Sequence, residues 1–297
     1  MFKFRRHYSL GTVTIIGLLL IVVVVVVGNA YSAGNDQEPP AALAGAETDR
    51  PAKTATLDET DNPSERITAS PNSTCPTDSF GYTCIDSTEP GGLINFEFED
   101  IAGTGTPVSL GDEQVSDAVP VGFSFDYYGT VYTNTYISSN GFISLLPTNN
   151  SGCCEGQPIP TQGAPDGMIA GWWVDLFPPA GGTITYQTRG AAPSRYFIVQ
   201  FTDIQHFPSG NPVTLQYKLF EGSNNIEVHY LNAPSDGEVH SAGIENQNGT
   251  VGLQYYLGPD DLPSELAVCY LYPGQNECSN TVVNYDVYLP IILGVPE

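Results

Sequence analysis

Hydrophobic residues recur at every second position along most of the chain between Ile94 and Leu257, and this period dictates the kind of structure that can form. Ile94, Phe96 and Phe98 alternate with Asn95, Glu97 and Glu99, and Val119, Val121, Phe123 and Phe125 repeat the pattern. Ile184 with Tyr186, Val213 to Leu219, Ile226 to Tyr230 and Val251 to Leu257 do the same. Side chains of an extended strand point alternately to opposite faces, so the alternation predicts strands with one dry and one wetter face. Tyr196-Phe-Ile-Val-Gln-Phe201 is apolar on both faces at its start, as a central sandwich strand should be. Asn140-Gly141 predicts a two-residue type I′ turn, and Gly222-Ser-Asn-Asn225 and Asn246-Gln-Asn-Gly249 predict two further hairpins. The expectation is an all-β chain with one antiparallel β-sandwich over residues 75–258. Residues 259–281, with Pro259, Pro263 and Pro273, read as a disulfide-clasped loop. A final strand is expected from Val282 to Leu293, which Pro290 restricts to an edge or a bulge.

The two ends of the sandwich differ from it in composition. Lys3, Arg5 and Arg6 precede an apolar run from Ile15 to Val27, and small residues follow at Gly28, Ala30, Ser32 and Ala33. This is the layout of an export signal, with cleavage after Ala30 or Ala33, and a retained N-terminal anchor is the alternative. The apolar run is shorter than the roughly 20 residues that span a bilayer. Residues 34–74 are rich in Ala, Pro, Thr and acids and contain no aromatic residue. They cannot bury enough apolar surface to offset chain entropy, so they read as a disordered stalk.

Charge and cysteines agree with export to the cell surface or the medium. The chain carries 9 Lys and Arg against 33 Asp and Glu. Such a field repels nucleic acid and anionic lipid, so neither is an expected partner, and only an uncleaved N-terminal segment would involve a membrane. Six cysteines, all after the signal, fit disulfides in an oxidising compartment. The expected pairing is Cys75–Cys84, Cys153–Cys154 and Cys269–Cys278, because the outer two close short local loops. Adjacent Cys153 and Cys154 read as a loop stiffener rather than a redox centre. No C-x-x-C spacing marks a zinc ribbon.

Three ordered motifs carry a family resemblance: Phe123-Ser-Phe-Asp-Tyr-Tyr-Gly129, Tyr136-Ile-Ser-Ser-Asn-Gly-Phe-Ile-Ser144 and Met168-Ile-Ala-Gly-Trp-Trp-Val-Asp-Leu176. With Phe197 to Phe201, Val213 to Tyr230 and Ser241 to Tyr255, the series resembles nidogen-like extracellular domains over about residues 78–257. The resemblance implies an extracellular sandwich of the kind found in adhesion, matrix and surface proteins, and it implies no catalytic site. Gly171 stands where the family usually has Pro, a difference expected to alter a turn, and the Cys153-Cys154 loop is an insertion.

Candidate chemistry is sparse. After the signal only His206, His229 and His240 are present, no G-x-S-x-G or H-E-x-x-H occurs, and His229 should face away from the buried side of its strand. Asp166 and Asp175 flank the pair Trp172-Trp173, an arrangement to weigh as a glycosidase acid pair or a sugar platform. The plainer reading places one Trp in the core and one at the rim. Gly111-Asp112-Glu113 … Asp117 and Asp260-Asp261 … Glu265 lack calcium-loop spacing and read as solvated loops, so calcium rests on no motif and no cofactor is expected. The functional expectation is a non-enzymatic interaction or structural module that binds an extracellular protein or glycan. The alternatives are a secreted hydrolase, a carbohydrate-binding module, or a surface-layer or filament subunit that oligomerises by donating the C-terminal strand.

Overall fold

A computed structural model describes residues 75–89, 93–163 and 165–278. The export segment, the stalk and the strand expected from Val282 to Leu293 lie outside the described residues. Among the described residues, thirteen strands form two antiparallel sheets. The first sheet holds β1 (Thr83–Asp86), β2 (Thr106–Val108), β7 (Thr183–Arg189), β8 (Tyr196–Ile204), β9 (Val213–Phe220), β10 (Ile226–Asn232) and β13 (Leu266–Leu271). Its order is β1-β13-β10-β9-β8-β7-β2. The second holds β3 (Val119–Tyr127), β4 (Thr130–Ile137), β5 (Phe142–Ser144), β6 (Met168–Trp173), β11 (His240–Glu245) and β12 (Gly252–Gly258), in the order β12-β11-β6-β5-β4-β3.

The alternation of β3 becomes an alternation of buried and exposed side chains, with Val119, Val121, Phe123, Phe125 and Tyr127 all inside. Most large interior residues are aromatic, and tyrosines tie the sheets together. Tyr217 Oη donates to Gly141 O at 2.7 Å and Tyr230 Oη to Gly171 O at 2.9 Å, while Tyr127 Oη, within the six-stranded sheet, donates to Met168 O at 2.7 Å. The first two hydroxyls cross the dry interior to backbone carbonyls of β6 and of the turn before β5, whereas the buried hydroxyls of Tyr82 and Tyr270 have no hydrogen-bond partner. Gly171 therefore lies inside β6, not in a turn. A Cβ there would meet Tyr217 Oη at 2.5 Å.

Three other expectations change. Ile94–Asp100 is not a strand. It crosses the outer face of the seven-stranded sheet as an irregular strap whose backbone is satisfied by side chains. Glu97 N donates to His229 Nδ1 (3.2 Å), Glu99 N to Gln216 Oε1 (3.2 Å) and Ile101 N to Gln200 Oε1 (2.8 Å), while Gln216 Nε2 and Lys218 Nζ donate back to Glu99 O and Glu97 O. His229 does face away from the main core, as its place in β10 dictates, but the strap buries it completely.

The two-residue I′ turn occurs at Tyr128-Gly129, where both φ angles are positive and Tyr127 pairs with Thr130. At Asn140-Gly141 only Gly141 has positive φ, and the turn is longer: Ser138 N donates to Phe142 O. The third change concerns 259–281, read as loop, which contains β13, one strand in from the edge of the seven-stranded sheet, between β1 and β10. The structure places the cysteines as the pairs Cys75–Cys84, Cys153–Cys154 and Cys269–Cys278.

Candidate functional site

The sandwich has two poles, and strand direction decides which loops gather at each. At the proximal pole the chain enters β1 at Thr83, directly opposite Leu271, where it leaves β13. The distal pole collects the turn 138–141, the segment 174–182 after β6, and the connections 205–212, 233–239 and 259–265. The acidic stretch 109–118 joins them.

Three histidine and aspartate side chains converge at the distal pole. His206 follows β8 and is held by a bridge to Leu176, the residue after Asp175. His240 opens β11, and pairing of Ser241 with Trp173 sets it beside β6, where its ring stacks on Trp172 at 4.3 Å between centroids. Asp236 lies in the loop between them, which is fastened by Ser235 N donating to Asp261 Oδ1. His240 Nε2 stands 3.3 Å from His206 Nε2 and 3.4 Å from Asp236 Oδ1. Both imidazoles are buried and Asp236 is the exposed member. His206 Nδ1 is 2.7 Å from Asn211 O, an acceptor only, so Nδ1 carries the ring proton and Nε2 presents a lone pair. Burial holds the His206 imidazolium below its usual range, and burial lowers His240 to about 4, so both rings are neutral at pH 7.

Carboxylates surround this triad. Burial, then the charges of Glu113, Asp112 and Asp236, push the Asp175 carboxyl up to about 6, and its buried Oδ1 has no hydrogen-bond partner. Glu113 is a brace. Its carboxylate accepts from Asn140 Nδ2 (2.9 Å) and from Ser151 Oγ, while Asn140 Oδ1 accepts from Leu176 N (3.1 Å). The Asn of the turn motif is thus a buried tie between three distal loops. The Cys153–Cys154 pair also lies beside Glu113 and Asp175, but disulfide sulfurs are not thiolate ligands. At the rim Phe207 is 51% exposed, and its ring packs edge-on against half-buried Phe177 at 5.4 Å.

The residues singled out from sequence do not assemble into one site. Asp175 is distal, whereas Asp166 is at the proximal pole beside Glu245. β6 between them is about 17 Å long at 3.3 Å per residue, and glycosidase carboxylates stand about 5–9.5 Å apart, so Asp166 and Asp175 do not form an acid pair. Nor does either tryptophan reach the surface. Trp172 is in the main core, and Trp173 lies under the 147–166 loop with Nε1 donating to Gly152 O at 2.6 Å. The sugar platform of an outward indole is therefore corrected to a second buried cluster with Phe142, Ile159 and Met168. His206, Asp236 and His240 carried no joint signal in the sequence, since strand pairing alone brings them together.

The chain matches the family model described as NIDO related over residues 94–264, more than half of its length. No curated protein and no solved structure matches it. The ordered turn and strand motifs, the sandwich they build and that match make the chain a member of the nidogen-related family.

Proposed function

We propose that the chain is a non-enzymatic extracellular interaction module, exported through its N-terminal segment, which presents the distal pole to a protein partner. The observation that carries this reading is the company kept by Phe207: it belongs to a half-exposed aromatic pair, its N–H donates to Asp175 O, and the Asp175 carboxyl feels the charges of Glu113, Asp112 and Asp236. An apolar anchor inside an acidic rim fits a partner with a basic rim around an apolar knob. Charge accounting supports it. Among the described residues Arg189 pairs with Glu99, Arg195 pairs with Glu221 and Lys218 is buried under the strap. The three basic side chains are thus all engaged away from the distal pole, and its acidity is not neutralised locally.

The test is an array of extracellular matrix proteins and glycans probed with the full chain, alongside the F207A and D112N variants. Both positions are exposed, so the fold should survive. The expected result is binding to a protein that weakens at least tenfold in either variant and falls with added salt. Binding that ignores both substitutions, or salt-independent capture of neutral glycans, would overturn this reading and favour a carbohydrate-binding module.

A further inference from the structure

At the distal pole His240 Nε2 stands at metal-centre spacing from both other members of the triad, and all three ligand atoms lie within 4.8 Å of one another. With metal–ligand bonds of about 2.05–2.1 Å and a tetrahedral angle, two ligand atoms stand about 3.3–3.4 Å apart. The Nε2–Nε2 and Nε2–Oδ1 separations are 3.3 and 3.4 Å. Right-angled octahedral ligands at the same bond lengths would close to about 2.9 Å. We propose that His206, Asp236 and His240 bind a zinc-class divalent transition metal in a tetrahedral site with its fourth position open for an exchangeable ligand. Two imidazoles and one carboxylate are a donor set suited to zinc rather than calcium, which takes six or more oxygens.

The surroundings hold the two imidazoles in the orientation a metal would need. The Asn211 carbonyl fixes the tautomer of His206, and the Trp172 indole fixes the ring plane of His240. Without a metal, the lone pair of His206 Nε2 and the carboxylate of Asp236 can share only the proton of His240 Nε2, across 3.3 and 3.4 Å, both long contacts. His240 Nδ1, for its part, is buried without a hydrogen-bond partner. Metal binding replaces the long Nε2 contacts. The His240 proton moves from Nε2 to Nδ1, the freed lone pair joins the metal, and no net proton is released. Asp236, the exposed ligand, leaves the open position on the solvent side.

Titrating the full chain with Zn²⁺ alone in a calorimeter, and with Co²⁺ alone under a spectrophotometer, tests this. The expected result is one tight equivalent of Zn²⁺ and the intense visible bands of tetrahedral Co²⁺, which excess Zn²⁺ abolishes. D236N, at an exposed position, should keep the fold and lose at least tenfold in Zn²⁺ affinity, and H206Q should lose the cobalt bands. Weak binding of several ions, unchanged in D236N, would assign the metal to the acidic surface and overturn the proposal. So would a cobalt spectrum of purely octahedral character in the unaltered protein, whatever the variants do.

Discussion

Gly141 shows how tightly the letters of a motif can be bound to backbone geometry. Its φ is +72°, and a Cβ there would stand 2.1 Å from the Trp172 carbonyl oxygen. Its own carbonyl meanwhile accepts from Trp172 N and Tyr217 Oη. G141A should therefore cost about 3 kcal/mol or more in chemical denaturation. G103A, with open space around it and no positive φ, should change stability by less than about 0.5 kcal/mol. Glu245 is the second informative residue. Burial, and next to it the charge of Asp166, push its carboxyl up to about 7 against the lowering effect of Thr161 N–H. The folded protein thus holds a proton that the unfolded chain releases near the ordinary carboxyl value of about 4.5. Stability from this group falls as pH rises from about 4.5 to about 7 and is level above that. E245Q keeps an acceptor for Thr161 N and removes the titration. Thermal melts should find it more stable than the parent at pH 8, on the order of 2 kcal/mol, with the advantage gone at pH 4.

Among the elements, those with a clean two-residue period and one buried face were legible in the sequence, and the failures have specific causes. The strap at 94–100 has perfect strand alternation, yet its backbone partners are the side chains of Gln200, Gln216, Lys218 and His229. Nothing in Ile94–Asp100 itself announces that substitution. Q216L should leave both the N–H and the carbonyl of Glu99 without partners, costing about 2 kcal/mol. Hydrogen exchange should then show faster labelling of residues 97–101 than of β9. β13 escaped for the opposite reason. Leu266-Ala-Val-Cys-Tyr-Leu271 is buried on both faces, so it has no alternation, and prolines on either side disguise it as loop. The candidate site was illegible at this scale. His206 and His240 are 34 residues apart and meet through the β6–β11 pairing. Asp166 and Asp175, close in sequence, are separated by an extended strand.

At the scale of the whole molecule, the strand order puts both connections to the rest of the chain at the proximal pole and the histidines, carboxylates and Phe207 at the other. The alternation in sequence foretold the sandwich but not this polarity, which follows from the non-sequential placing of β13 beside β1. The arrangement has a mechanical consequence. A load applied at the distal pole and resisted at Cys75 would run parallel to the strands, so the rungs joining β1 to β13 from Thr83–Leu271 to Asp86–Val268 would be sheared together. A load between Cys75 and Cys278 would pass through the two disulfides to Cys84 and Cys269, near one end of the same two strands, and would open the rungs between them one after another. Force spectroscopy with a handle at exposed Ser209 should record a higher rupture force against the N-terminal side than the N-terminal side gives against the C-terminal side. The fold would then resist hardest along the axis on which a tethered module is pulled by what it holds.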